Sequence, residues 1–153
     1  MKVEEKLKEM RLELPEAPRP VANYLPLVRT GNLVFLSGHG PVRMDGSRIT
    51  GKLGADLSLK EGYNAARQVA LGLLSSLKSE IEDLDKVRRI VKLLGMVNCI
   101  PEFTDLPNVI NGASDLLVAL FVERGKHARS AVGMNALPGN IAVEIEMIVE
   151  VVG

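Results

Sequence analysis

The sequence has no tryptophan, and only three phenylalanines and two tyrosines among its 153 residues. A core must therefore be assembled from aliphatic side chains, and there is no stock of rings on which single-stranded bases could stack. There is one cysteine, Cys99, so no internal disulfide can form, which fits a reducing compartment. At the end of an apolar stretch it reads as an inert core thiol. Cys99, His39 and His127 lie far apart with no ligand spacing, so no metal site is expected. Neither sign of charge is in excess: Lys+Arg and Asp+Glu number 19 each. No basic stripe asks for nucleic acid or an anionic membrane. The opening MKVEEKLKEM carries acids and no apolar h-region, so it does not read as a signal peptide. No apolar run approaches the roughly 20 residues of a membrane helix, and the default compartment is the cytoplasm. There is no Walker loop, no G-x-G-x-x-G, no defensible Ser-His-Asp order, no fixed-period repeat and no low-complexity segment.

What is present is ordinary globular material, 46% hydrophobic and 25% charged. A chain of this length makes one domain and can bury about two thirds of its unfolded surface. The expected organisation is an N-terminal helix and proline connector over 1–19, then one domain over 20–153. Val3, Leu7 and Met10 stand at helical spacing and predict a short amphipathic helix over 2–10, which must dock on something to persist. Pro15, Pro18 and Pro20 make the connector. Tyr24–Val28 and Leu33–Ser37 flank Arg29-Thr30-Gly31-Asn32 and predict a β-hairpin. Residues 42–57 are Gly-rich and polar, a loop with room for one short strand. Ser58-Leu59-Lys60-Glu61 is a capping box. It opens a helix over 58–82 whose apolar stripe runs from Leu59 and Tyr63 through Ala66, Ala70, Leu73, Leu74 and Leu77 to Ile81.

Val87–Asn98 predicts a strand. Asp105 is placed to cap a second helix, with Pro107 in its first turn and Gly125 at its end. Ala128–Asn135 predicts a strand, Leu137-Pro138-Gly139-Asn140 a turn, and 141–152 a last strand. In that strand Ile141, Val143, Ile145, Met147, Val149 and Val151 share one side. The order β-β-(β)-α-β-α-β-β is α+β: a mixed sheet with two helices covering one face. Apolar residues occur at both parities in several strands, so the other face is expected to meet a further copy of the chain.

Candidate chemistry concentrates in what reads as a final hairpin. His127-Ala128-Arg129-Ser130 precedes one strand, and Glu144 stands on the polar side of the next. Arg129 offers a planar fork for a carboxylate. If the two strands pair, Arg129 and Glu144 approach each other, as a surface or interface ion pair or as parts of one site. Glu146 and Glu150 read as solvated or interfacial charges. Ser37-Gly38 at a strand end supplies either a turn and a satisfied backbone group, or a hydroxyl and an N–H lining a pocket. Tyr24 opens the first strand as a half-buried packing residue. Asn111-Gly112 within a helix marks a close approach to a ligand or neighbour, or is simply tolerated. His39, between two glycines, reads as a loop or interface residue.

The run Ala128-Arg129-Ser130-Ala131-Val132, then Leu137-Pro138, then Val143-Glu144-Ile145-Glu146, resembles the C-terminal signature of the Rid (YjgF-type) proteins, also called L-PSP endoribonucleases. Leu36-Ser37-Gly38 followed by Pro41-Val42 is similar to that family's second-strand motif, and the element order agrees over roughly residues 20–152. The resemblance implies a chorismate-mutase-like fold, and a homotrimer whose sheets pack into a central barrel with clefts between subunits. It also implies a hydrolase similar to 2-iminobutanoate/2-iminopropanoate deaminase, converting reactive 2-imino acids and their enamines to 2-keto acids and ammonia without a cofactor. In that reading Arg129 grips the substrate carboxylate and Glu144 positions or activates water. Tyr24, Ser37, Gly38, Asn111 and Ser130 line the cleft, some of them from the neighbouring subunit.

The chain departs from the pattern in places. Residues 1–19 are additional, and 42–57 and Ile100–Leu106 are longer. Ala131 stands where several members carry cysteine, and His39 where glutamine is common. Gly133-Met134 replaces charged or bulky residues. These mark a divergent subgroup. Two other functions compete with deamination. A non-catalytic trimer sensing a small carboxylate metabolite predicts binding without turnover. An endoribonuclease, implied by the family's other name, is disfavoured by the missing basic patch, base-stacking rings and convincing acid–base pair.

Overall fold

In chain order the elements are α1 (Lys2–Glu9), β1 (Leu27–Thr30), β2 (Leu33–His39), α2 (Leu59–Ile81), β3 (Val87–Asn98), α3 (Leu106–Phe121), β4 (Ala128–Met134) and β5 (Val143–Val151). The computed structural model describes residues 2–19 and 23–153; Pro20 of the connector lies outside them. The capping box opens α2 as its chemistry requires. The Ser58 hydroxyl oxygen accepts from the Glu61 N–H at 3.2 Å, and the Glu61 carboxylate accepts from the Ser58 N–H at 3.0 Å. Two otherwise orphaned donors are satisfied. Asp105 occupies the corresponding position before α3, but its side chain makes no cap bond and accepts instead from Asn108.

The sheet order is β1-β2-β5-β3-β4. All neighbouring pairs are antiparallel except β3 and β4, which run parallel. A parallel pair needs a crossover, and α3 supplies it. This corrects the expected final hairpin. β4 and β5 do not pair, because β3 lies between them and is laddered to both. Ile90, Leu93 and Val97 of β3 are completely inaccessible, and the backbone N–H and C=O groups of so buried a strand are paired by a neighbour on each edge. The eight residues between β4 and β5 are long enough to step across it.

Helices α2 and α3 cover one face. Against them lie Val34 and Leu36 of β2 and Val143, Ile145, Met147, Val149 and Val151 of β5, all buried. The alternation foreseen for the last strand is therefore observed, although that strand begins at Val143. Burial of α2 is wider than one stripe: Ser75 and Ser76 are buried too. The N-terminal segment explains this, since Met10, Leu12 and Leu14 pack on the core and the Ser75 hydroxyl donates to the Pro15 carbonyl. α1 joins the same core through Val3 and Leu7, each contributing about 1.5–3 kcal/mol by burial. Its first N–H groups are held by the Asp85 carboxylate, and Glu4 pairs with Lys78 of α2.

The segment over Leu106–Gly125 is apolar enough by composition alone to cross a membrane, contrary to the expectation from the sequence. In the fold it is a core helix with Val109, Ile110, Ala113, Leu116, Leu117 and Leu120 buried. β1 starts at Leu27, later than foreseen, and residues 42–57 form isolated bridges such as Val42 to Arg48 and Thr50 to Ile141 rather than a strand. Among the described residues the second sheet face is covered only at one end, where Leu137 and Ile141 pack against Met96 and Leu94. Leu33, Phe35 and Val132 are each more than a third exposed there.

Candidate functional site

Two separate groups of polar residues emerge. The first surrounds Glu144 in a cavity of about 450 Å³ whose walls include Tyr24, Ser37, Gly38, His39, Arg48 and Glu144. Proline supplies much of the rest, with Pro15, Pro18, Pro26 and Pro138. A Cβ at position 38 would stand 1.9 Å from Glu144 Oε2, so any larger residue there displaces the carboxylate from its present position. The carboxylate thus lies against bare backbone. Burial pushes its pKa above the ordinary carboxylate value, and the neighbouring Glu146 charge adds to the shift. Ser37 serves both of its foreseen roles: it lines the cavity, and its hydroxyl donates to the Leu25 carbonyl at 2.6 Å. Tyr24 is 63% exposed rather than half-buried, and stands on the cavity wall ahead of β1.

His39 is not a loop residue. It ends β2 and is buried, its Nδ1 2.6 Å from the Ser37 carbonyl and its Nε2 2.7 Å from the Ser76 hydroxyl. A carbonyl only accepts, so Nδ1 carries the proton and Nε2 accepts from Ser76. Burial lowers its pKa, which keeps the ring neutral. Sequence reasoning missed this role, since the partner is 37 residues away.

The second group surrounds Arg129 at the start of β4. Its Nη1 donates to Asn111 Oδ1 at 2.8 Å and to the Ser114 hydroxyl oxygen at 3.1 Å. Each partner is fixed in turn. Asn111 donates to Asn108, which donates to Asp105. Ser114 donates to His127 Nε2 at 2.9 Å, and His127 Nδ1–H donates to the Gly125 carbonyl at 2.6 Å. The carbonyl can only accept, which sets the direction of the Ser114–His127 bonds, and the Asp105 carboxylate sets that of the asparagine bonds in the same way. His127 has a lowered pKa, chiefly from burial, with the Arg129 charge adding to it. Among the described residues, Arg129 Nε and Nη2 take no hydrogen bond. The guanidinium is aimed through one nitrogen and keeps its other donors available. Ser114 and His127 were not foreseen as part of a site; the i,i+3 step from Asn111 to Ser114 on one helix face is the signal that could have found the serine.

The two groups do not meet within one chain. Arg129 is level with Leu93 of β3, while Glu144 is level with Met96, two strands from Arg129 and three residues further along. Strand spacings put their backbones about 14 Å apart. They also face opposite ways. Arg129 shares the helix-covered side with buried Leu93, whereas Glu144 shares the open side with Met96 and Leu94. Ser130, one residue on from Arg129, lies on the open side as well. The expected approach of Arg129 and Glu144 is thus overturned for a single chain, because β3 separates their strands.

The sequence profile of the family described as "YjgF/chorismate mutase-like, putative endoribonuclease" matches residues 4–151. The chain belongs to this family. A protein of Trypanosoma cruzi, TCP17, is 43% identical over 145 residues, covering 94% of this chain and 91% of that one. The crystal structure of a protein of Shewanella oneidensis, described as a "putative endoribonuclease", is 32% identical with TM-score 0.94, covering 99% of this chain and all of that one. RidA from a Psychrobacter species is 26% identical with TM-score 0.61, covering 89% and 94% respectively. This YjgF-type chain therefore shares its whole length, α1 included, with the Shewanella protein, and a smaller common body with RidA. The α+β fold of a mixed five-stranded sheet is the one these proteins have.

Proposed function

We propose that this YjgF-family chain hydrolyses 2-imino acids and their enamine tautomers to 2-keto acids and ammonia, in the cytoplasm, at clefts between subunits of a homotrimer. The observation that carries the reading is the division of the polar residues into two incomplete halves. One half has a carboxylate base beside a cavity, where Arg48 on the wall is held by no side-chain hydrogen bond among the described residues. The other has an aimed cation and no base. An unpaired outer edge on β4 and exposed Leu33, Phe35 and Val132 on the open face are features that a neighbouring copy would cover.

In the assembled cleft Arg129 of one copy receives the substrate carboxylate in its fork, with Asn111 beside it. Glu144 of the other copy accepts a proton from water as the water oxygen bonds to the imine carbon and the C=N electrons move to nitrogen. Nitrogen is protonated, the carbon–nitrogen bond breaks, and ammonia leaves as the carbonyl forms. Positioning and proton transfer suffice, and no cofactor enters. Tyr24, Ser37, Gly38 and Ser130 contribute walls of the cleft.

The test is complementation. Arg129→Ala and Glu144→Gln chains are each expected to be nearly inactive in ammonia release from enzymatically generated 2-imino acids. Unfolded together and refolded in equal amounts, they would form mixed trimers in which one cleft of three is intact. About a quarter of wild-type activity should return. No recovery from verified mixed trimers would sink the shared cleft. Binding of 2-keto acids without any turnover by wild type would favour a metabolite-sensing trimer instead.

A further inference from the structure

The Glu144 cavity holds an arginine that the deaminase chemistry does not use. Arg48 lies on its wall, and its guanidinium passes over the 138–140 turn, with Nη1 3.5 Å from where a Cβ on Gly139 would stand. Among the described residues it makes no ion pair and no side-chain hydrogen bond. The other arginine on the wall, Arg19, has Glu16 at 3.9 Å. Arg48 is nevertheless well placed by its backbone. Val42 bridges to Arg48, and Arg43 donates to the Arg48 carbonyl. Thr50 bridges to Ile141, and the Ala142 N–H donates to the Ile49 carbonyl. The segment carrying Arg48 is thereby stitched to the entry of β5, just ahead of Glu144.

A second acidic group brought into this cavity would be repelled by Glu144 unless a cation met it. At about 450 Å³ the space is within the ordinary range for ligand pockets, and a three- or four-carbon imine leaves part of it vacant. We propose that Arg48 anchors a side-chain carboxylate, so that the site takes 2-imino dicarboxylic acids in preference to imines with apolar side chains. This rests on the deaminase reading and names its substrate class. Arg129 takes the carboxylate next to the imine carbon, and Arg48 takes the distal one.

Ammonia release would be compared for imines generated in place from dicarboxylic and from aliphatic amino acids, with wild type, Arg48→Gln and Arg48→Lys. The expected result is a preference of tenfold or more for the dicarboxylic imine, falling about tenfold in Arg48→Gln and only partly in Arg48→Lys. Equal or faster hydrolysis of aliphatic imines by wild type, or an equal loss on both substrates in Arg48→Gln, overturns the inference and leaves the deaminase reading standing. If no imine is accelerated, the deaminase reading fails and calorimetry decides the anchor alone. Binding of 2-oxoglutarate tenfold tighter than 2-oxobutanoate, with the difference lost in Arg48→Gln, supports it. Equal binding overturns it.

Discussion

The surroundings of Glu144 and of Arg129 are built on opposite plans. Glu144 lies against a glycine with its charge partly stripped of water, and burial raises its pKa. Arg129 joins two branches of side-chain hydrogen bonds, one through Asn111 and Asn108 to Asp105 and one through Ser114 to His127. A group that must gain and lose a proton is poorly served by partners that fix one state. A group that must hold a ligand still is well served by partners that fix its direction. The sparse environment suits a base and the saturated one suits a grip.

The contrast can be broken most severely at Gly38. Gly38→Ala puts a methyl into the space of the Glu144 carboxylate, which can swing aside, so turnover should fall about a hundredfold with little change in Tm. A melting shift as large as the activity loss would show that Gly38 serves the fold instead. Next is Arg129→Lys, which keeps the charge and loses the fork. kcat/KM should drop about tenfold, through KM more than kcat. Ser114→Ala removes one support and one acceptor, and a threefold to fivefold rise in KM is expected at about the same kcat. A fall in kcat alone would mean that Ser114 touches the reaction.

The pH profiles should also differ between the two ends. Glu144 must be ionised to act, and burial raises its pKa, so kcat/KM should decline with falling pH at a midpoint above the ordinary glutamate value. In Glu144→Gln that limb should vanish. His127 and His39 have lowered pKa values in the fold. The stability they contribute is therefore present above the unfolded value of about 6.5 and is lost as pH falls through the folded ones. Urea midpoints should decrease below that pH, and His127→Phe should reduce the decrease, the smallest of these effects.

Much of this was legible in the sequence. The capping box at Ser58 and the alternation in β5 are local patterns, and local patterns report period and termini well. Asn111 and Arg129 were singled out, and the fold joins them directly. Period does not report partners, however. Nothing within residues 128–151 states that β3 will lie between the two strands, so the pairing of Arg129 with Glu144 was misread. His39 reads as a loop or interface residue and Arg48 passes without notice for the same reason: what they touch, Ser76 and the turn at Gly139, is distant in sequence. Asn111-Gly112 reads either as a close approach to a ligand or neighbour or as simply tolerated, and Gly112 turns out to be a close approach within the chain. It is the contact with α2, where the Tyr63 carbonyl would stand 1.9 Å from a Cβ.

The sheet order β1-β2-β5-β3-β4 places the latest strand in the middle. During synthesis β2 and β3 emerge long before β5, and neither can ladder to the other without it. The nascent protein must wait with two apolar strand edges open, which is when chains of this kind are most exposed to aggregation. A stop codon anywhere before β5 would not shave the edge of the sheet. Once β3 has been made it would leave two unjoined halves, and such fragments are expected to be degraded rather than to persist with partial structure.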